Sequence, residues 1–146
     1  MAFDTIITGG LFFDGRGSPP VRREVGIVDG KLTALSAAPL GAGPATRVID
    51  ATGCWITPGF IDLHTHYDAE VELAPSLSES VRHGVTTVLM GSCSLSLALG
   101  TPEDLADMFC RVEAIPYHIV RPLLEQHKDW DGLPEYLEHL DSLPLG

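Results

Sequence analysis

No apolar run in the sequence approaches the roughly 20 residues needed to span a bilayer, which argues against a membrane-spanning role. The first residues, Met1-Ala2-Phe3-Asp4, lack the basic start and long apolar core of a secretory signal. Basic residues are scarce, 9 Lys and Arg against 20 Asp and Glu, for a formal net charge of −11. Nucleic acid and anionic membrane surfaces both repel such a chain, so neither is expected as a partner. Cysteine is sparse too: the three present cannot all pair within one chain and show no short repeated spacing. A reducing, cytoplasmic setting is therefore expected. There is no internal repeat and no low-complexity tract. What is present is ordinary: 146 residues, 45% hydrophobic and 20% charged, enough for a globular domain with a real core.

Up to about Thr57 the pattern is of short strands divided by turns, with little helical period. Phe3 to Ile7 and Leu11 to Phe13 flank Thr8-Gly9-Gly10. Val25 to Val28 and Lys31 to Leu35 flank Asp29-Gly30, a pair that suits a tight hairpin because both positions tolerate positive φ. Gly41, Gly43 and Pro44 mark a loop. Arg47 to Ile49 and Cys54 to Ile56 surround Thr52-Gly53. The reading is a small antiparallel sheet.

From Pro58 the pattern changes. Phe60-Ile61-Asp62-Leu63-His64-Thr65-His66 reads as one apolar strand whose far end turns polar. Ser76 and Glu79 stand at capping-box spacing at the head of a short helix, and Leu73, Leu77 and Val81 lie four apart on one face. Gly84 stands where a left-handed residue ends many helices. Val85 to Met90 is rich in β-branched residues and makes the next strand. Strand, helix and strand form a βαβ unit with parallel strands. Thr101-Pro102-Glu103-Asp104 opens a further helix, with a cap, a proline at the first position and acids in the first turn. Leu105, Met108, Phe109 and Val112 share a face of it. Pro116 and Pro122 are expected to interrupt the next run, and Pro134 to begin a last helix through Tyr136, Leu137 and Leu140. Leu95 to Leu99 is expected to pack in the core, and the acids of residues 125–141 to form a solvated helix face.

Side chains two apart in a strand share a face. A continuous strand would set His64 and His66 about 7 Å apart on one side, where two imidazoles can converge on one ion. For an isolated His-x-His the plainer account is solvated polar residues. Here the pair ends an apolar strand, at the carboxyl end where α/β folds place their sites. Cys93 follows Val85 to Met90 and so stands at the end of the neighbouring strand, about 5 Å away. A lone cysteine is more often a small buried residue, but a thiolate beside two imidazoles is a strong zinc donor set. Cys54, Cys110, His83, His118, His127 and His139 have no such company and are assigned no role.

These motifs carry a resemblance. Pro58 through His66 is similar to the first barrel strand of the amidohydrolase superfamily, and the opening strands through Ile27-Val28-Asp29-Gly30-Lys31 to the small β-domain that precedes that barrel. Gly84 through Cys93 resembles most the D-aminoacylase (N-acyl-D-amino-acid deacylase) branch, in which a cysteine is a metal ligand. Met108-Phe109, Arg111-Val112-Glu113 and Leu143-Pro144-Leu145-Gly146 have the look of the same branch. That branch commonly has asparagine before the cysteine and glycine after it; this chain has Ser92 and Ser94.

The resemblance implies an α/β fold: a small N-terminal β-domain (a partial β-sandwich) over residues 1–57, then the first βα units of an incomplete TIM-like (β/α)8 hydrolase barrel over residues 58–146. A complete barrel of this kind takes roughly 250 residues. It implies His64, His66 and Cys93 as metal ligands for Zn2+, one or two divalent ions, and a small-molecule N-acyl-amino-acid substrate. Further histidine ligands and the general-base aspartate are expected beyond residue 146, in a longer gene product or a complementary chain of a split enzyme. Two other readings stand beside this one. A cyclic-amide hydrolase of the dihydroorotase or hydantoinase kind shares the first-strand motif but typically uses a carboxylated lysine, and no lysine lies between Lys31 and Lys128. A non-catalytic interaction module is the other, since an open two-strand sheet leaves an edge that favours a complementary chain or a homo-oligomer.

Overall fold

The structure, a computed structural model, describes residues 2–145. It divides into two compact units, Met1–Pro58 and Gly59–Gly146. Both sheets and helices are present, so the chain is mixed α/β.

The first unit is all β: β1 (Thr5–Thr8), β2 (Leu11–Phe12), β3 (Val21–Arg22), β4 (Glu24–Val28), β5 (Lys31–Ser36), β6 (Arg47–Asp50) and β7 (Trp55–Ile56). β4 and β5 form the expected antiparallel hairpin, closed by Asp29 at φ 50° and Gly30 at φ 69°. The single antiparallel sheet is corrected to two mixed sheets, ordered β5-β4-β1-β6 and β3-β2-β7. β6 runs parallel to β1, and β7 parallel to β2. The reason is a matched break. The chain kinks between β1 and β2 at Gly9, φ 74°, and between β6 and β7 at Gly53, φ 80°. Two kinked ribbons therefore lie side by side, joined across the break by Ala51 N–H to Thr8 O at 2.8 Å and Leu11 N–H to Cys54 O at 3.0 Å. Ile6 and Val25 are the buried centre of the larger sheet.

The second unit contains β8 (Phe60–Asp62), α1 (Asp68–Leu73), α2 (Ser78–Arg82), β9 (Val85–Val88), a 3-10 turn at Ser92–Ser94, α3 (Pro102–Val112), α4 (Tyr117–His127) and α5 (Leu133–Ser142). β8 and β9 are parallel neighbours, with Asp62 opposite Val88. α3 starts as its sequence predicts: the Thr101 hydroxyl accepts the Asp104 N–H at 3.2 Å, with Pro102 in the first turn. Gly84 ends α2 at φ 80°.

Four local expectations are corrected. The strand expected to reach His66 stops at Asp62. The Ser76–Glu79 capping box does not form: α2 begins only at Ser78, after Leu77 turns left-handed at φ 42°, and no side chain caps it. Leu73 belongs instead to α1, an additional helix, and both Leu73 and Val81 are exposed rather than sharing a core face. Pro122 lies inside α4 without breaking it. An interior proline costs about 3 kcal/mol, while Val120 and Leu124 in the same helix are fully buried, each such burial being worth roughly 1.5–3 kcal/mol.

The core of this unit is helical. Leu97, Leu105, Phe109, Val120, Leu124 and Trp130 meet in one cluster, and Trp130 Nε1 donates to Leu97 O at 2.8 Å. The β8–β9 sheet is bare by contrast: Phe60, Ile61, Leu63 and Leu89 are 57–71% exposed. Among the described residues no helix is long and apolar enough to cross a membrane.

Candidate metal centre

The end of β8 is shaped by its own side chains. Asp62 Oδ1 accepts the His64 N–H at 3.1 Å, an Asx turn that offers the backbone a partner other than the strand ladder. That is why the strand ends early. Thr65 is buried, and its N–H and hydroxyl both donate to Leu89 O, at 3.2 and 3.0 Å. Leu89 N–H in turn donates to Asp62 O at 2.9 Å. The ends of β8 and β9 are thereby tied together. His64 and His66 project on either side of Thr65 in sequence, their rings 5.3 Å apart between centroids and 68° between planes.

Beyond β9 the chain turns sharply through Gly91 at φ 76°, Cys93 at φ 58° and Ser94 at φ 61°. Two consecutive non-glycine residues in the left-handed region are uncommon. This turn carries Cys93 Sγ to 3.3 Å from His64 Nε2. One donor atom from each of His64, His66 and Cys93 lies within 4.8 Å of the others. The remaining cysteines, Cys54 and Cys110, are free and take no part.

Two imidazoles and a thiol make a donor set that suits zinc and related first-row ions. His66 Nδ1 is buried and has no hydrogen-bond partner among the described residues. A buried polar atom without a partner is costly, and a cation would satisfy a ring nitrogen's lone pair. The residues fit a metal.

Several residues around the centre carry no signal that sequence reasoning picked up. Asp68, the first residue of α1, is 1% exposed. Burial pushes its carboxyl above the usual carboxylate range, opposed by the backbone N–H groups of Gly91 and Leu97, which flank the Cys93 turn. Even so, Asp68 Oδ2 makes no hydrogen bond of good geometry among the described residues. Glu113, just past α3, accepts the Ala69 N–H on Oε1 at 2.8 Å and the Glu70 N–H on Oε2 at 2.7 Å. Burial pushes its carboxyl up to about 7. The buried Glu72 carboxylate meets His139 Nε2 at 2.9 and 3.0 Å, with His127 Nδ1 at 3.9 Å. Tyr136 OH lies 3.5 Å from Asp68 Oδ1, and burial raises its phenol. An acid at Asp68 followed by apolar Ala69 and Val71 was a local sign of a helix start. The partners 43 to 68 residues away had none.

Comparison with known proteins adds to this geometry. A sequence profile of the Amidohydrolase family matches residues 47–142. An uncharacterized protein of Mycobacterium tuberculosis is 51% identical over 146 residues, 100% of this chain and 24% of the relative. The N-acyl-D-glutamate deacylase of Alcaligenes xylosoxydans xylosoxydans is 39% identical over 102 residues, 70% of this chain and 20% of that enzyme. Among solved structures, the N-acyl-D-glutamate deacylase from Bordetella bronchiseptica, complexed with zinc and a phosphonate mimic of the tetrahedral intermediate, superposes with a TM-score of 0.59 at 41% identity. The match covers 66% of this chain and 20% of that one. A D-aminoacylase described by its binuclear metal centre superposes with a TM-score of 0.60 at 34% identity, over 68% of this chain and 20% of that one. The chain thus spans about a quarter, 24%, of the length of the first of these relatives.

Proposed function

The chain belongs to the amidohydrolase family, and from that premise we propose that His64, His66 and Cys93 are metal ligands in a hydrolase of non-peptide C–N bonds, most like an N-acyl-D-amino-acid deacylase. The observation that carries the reading is the approach of three donors, within 4.8 Å, from the ends of two parallel strands joined at Thr65 and Leu89.

Zn2+ is the ion this donor set suits best, and one or two divalent ions would be held here. When bound, it supplies Lewis-acid activation of a water and of the scissile amide carbonyl. The chain's own residues do the holding and aiming. His64 and His66 would hold the ion through their imidazole nitrogens and Cys93 through its sulfur. Asp62 fixes the backbone at His64, and Thr65 keeps the two strand ends from sliding apart. The left-handed turn at Cys93 aims its sulfur back toward the imidazoles. In this reading the three residues act as metal ligands, and none of them is the general base.

In this reading residues 58–146 are the opening of a (β/α)8 barrel, with residues 1–57 as a partial β-sandwich. Phe60, Ile61, Leu63 and Leu89 would be covered by later strands, a complementary chain or a second copy. The substrate is a small N-acyl-D-amino acid, and a panel of these against cyclic ureides, run on the complete enzyme, separates the deacylase from a hydantoinase. The ligand assignment is tested on the 146-residue chain by equilibrium dialysis with zinc. Stoichiometric zinc is expected in the wild type and a loss of affinity in Cys93→Ala; unchanged zinc content in that variant removes Cys93 from the site.

A further inference from the structure

We infer that Glu113 is a positioning residue for this centre: its carboxylate, reaching back 44 residues, caps the helix that begins two residues after His66 and so holds the His64–His66 segment against the Cys93 turn. The inference rests on the ligand assignment above.

α1 has only six residues, and its N-cap, Tyr67, offers no side-chain bond. A helix that short does not hold itself together in water, and its first N–H groups need outside acceptors. Glu113 supplies both: Oε1 takes the Ala69 N–H at 2.8 Å and Oε2 the Glu70 N–H at 2.7 Å. Among the described residues the Glu113 side chain has no ion pair, and these two bonds are the hydrogen bonds its carboxyl makes. Burial opposes its ionisation most, the two backbone bonds favour it, and the negative charges of Asp68 and Glu70 add to the opposition.

Glu113 itself stands on firm ground. It is the residue just past α3, whose Leu105, Ala106 and Phe109 are buried in the helical core. The capped helix, in turn, adjoins the centre: its chain leads directly out of His66, and its first residue, Asp68, is buried. Glu113 touches none of the three ligands. It acts through α1, by fixing where the histidine segment ends.

The test is a Co2+ titration of the 146-residue chain, read by the thiolate-to-cobalt charge-transfer band, which reports Cys93, and by the ligand-field bands, which report coordination geometry. Loss of a group that orients metal ligands typically lowers affinity about 10–100-fold. That fall is expected for Glu113→Ala, with altered ligand-field bands. Glu113→Gln, which keeps the shape and one acceptor, is expected to fall less and serves if the alanine variant does not fold. Thr101→Ala is the comparison: it removes a cap at the far end of α3 and should lower the urea midpoint while leaving cobalt affinity and spectrum as in the wild type. A Glu113→Ala or Glu113→Gln chain that binds cobalt with wild-type affinity and spectrum overturns this inference alone. Absence of the thiolate band in the wild-type chain overturns the ligand assignment, and this inference with it.

Discussion

Ser94 stands where the D-aminoacylase branch commonly has glycine, and its backbone sits at φ 61° directly after Cys93 at φ 58°. The left-handed region costs a non-glycine residue roughly 1–2 kcal/mol. Ser94 is exposed, so replacing it sacrifices no packing. The glycine variant relieves that strain but loosens the unfolded chain, which offsets about 0.4–1 kcal/mol. Ser94→Gly should therefore stabilise the protein by about 0.5–1 kcal/mol. Urea unfolding reads this as a midpoint raised by about 0.3–0.5 M at unchanged slope, taking a slope of roughly 2 kcal/mol/M. Ser92→Gly is the internal control. Ser92 is not among the positive-φ residues, so there glycine brings only the entropic cost and the midpoint should fall. Because the turn keeps its shape in Ser94→Gly, zinc affinity should stay within a few-fold of wild type. A lowered midpoint in Ser94→Gly, or shifts of the same sign in both variants, would refute the strain argument.

Phe109 is wholly buried among the helices, while Leu137 on α5 is 52% exposed. Phe109→Ala should cost about 3–5 kcal/mol and Leu137→Ala about 0.5 kcal/mol or less, compared by denaturant unfolding; equal losses would show that the helical cluster is not the core. The Glu113 carboxyl, pushed from its ordinary 4.5 up to about 7, binds its proton more tightly in the folded chain. Its contribution is therefore greatest below pH 4.5 and declines as pH rises toward 7. Measured against Glu113→Gln, which does not titrate, the wild-type urea midpoint should fall between pH 5.5 and pH 8; a rise over that interval would reverse the sign.

Much of the local structure was legible because it depends on neighbours in sequence. The Asp29-Gly30 hairpin follows from two positions that accept positive φ, and α3 from Thr101 capping and Pro102. The parallel β8 and β9 follow from two apolar strands bracketing a helical pattern. The early end of β8 was missed because a single Asx bond from Asp62 to His64 outweighs the alternation that suggested a longer strand. The Ser76–Glu79 box failed for a related reason: Leu77 turns left-handed between its two members, so the side chains never face each other's N–H groups.

The sequence by itself determined which residues are chemically able to hold a metal and that His64, His66 and Cys93 stand near the ends of adjacent strands, since residue type and strand period are local properties. Tertiary structure alone decided that β6 and β7 would run parallel to β1 and β2 and that Pro122 would sit inside a helix. It alone decided that Glu113 would cap α1 and that Glu72 would meet His139. Those outcomes depend on contacts between segments tens of residues apart, where a hydrogen bond forms only because packing has already brought both partners together, and no periodicity in the chain records it.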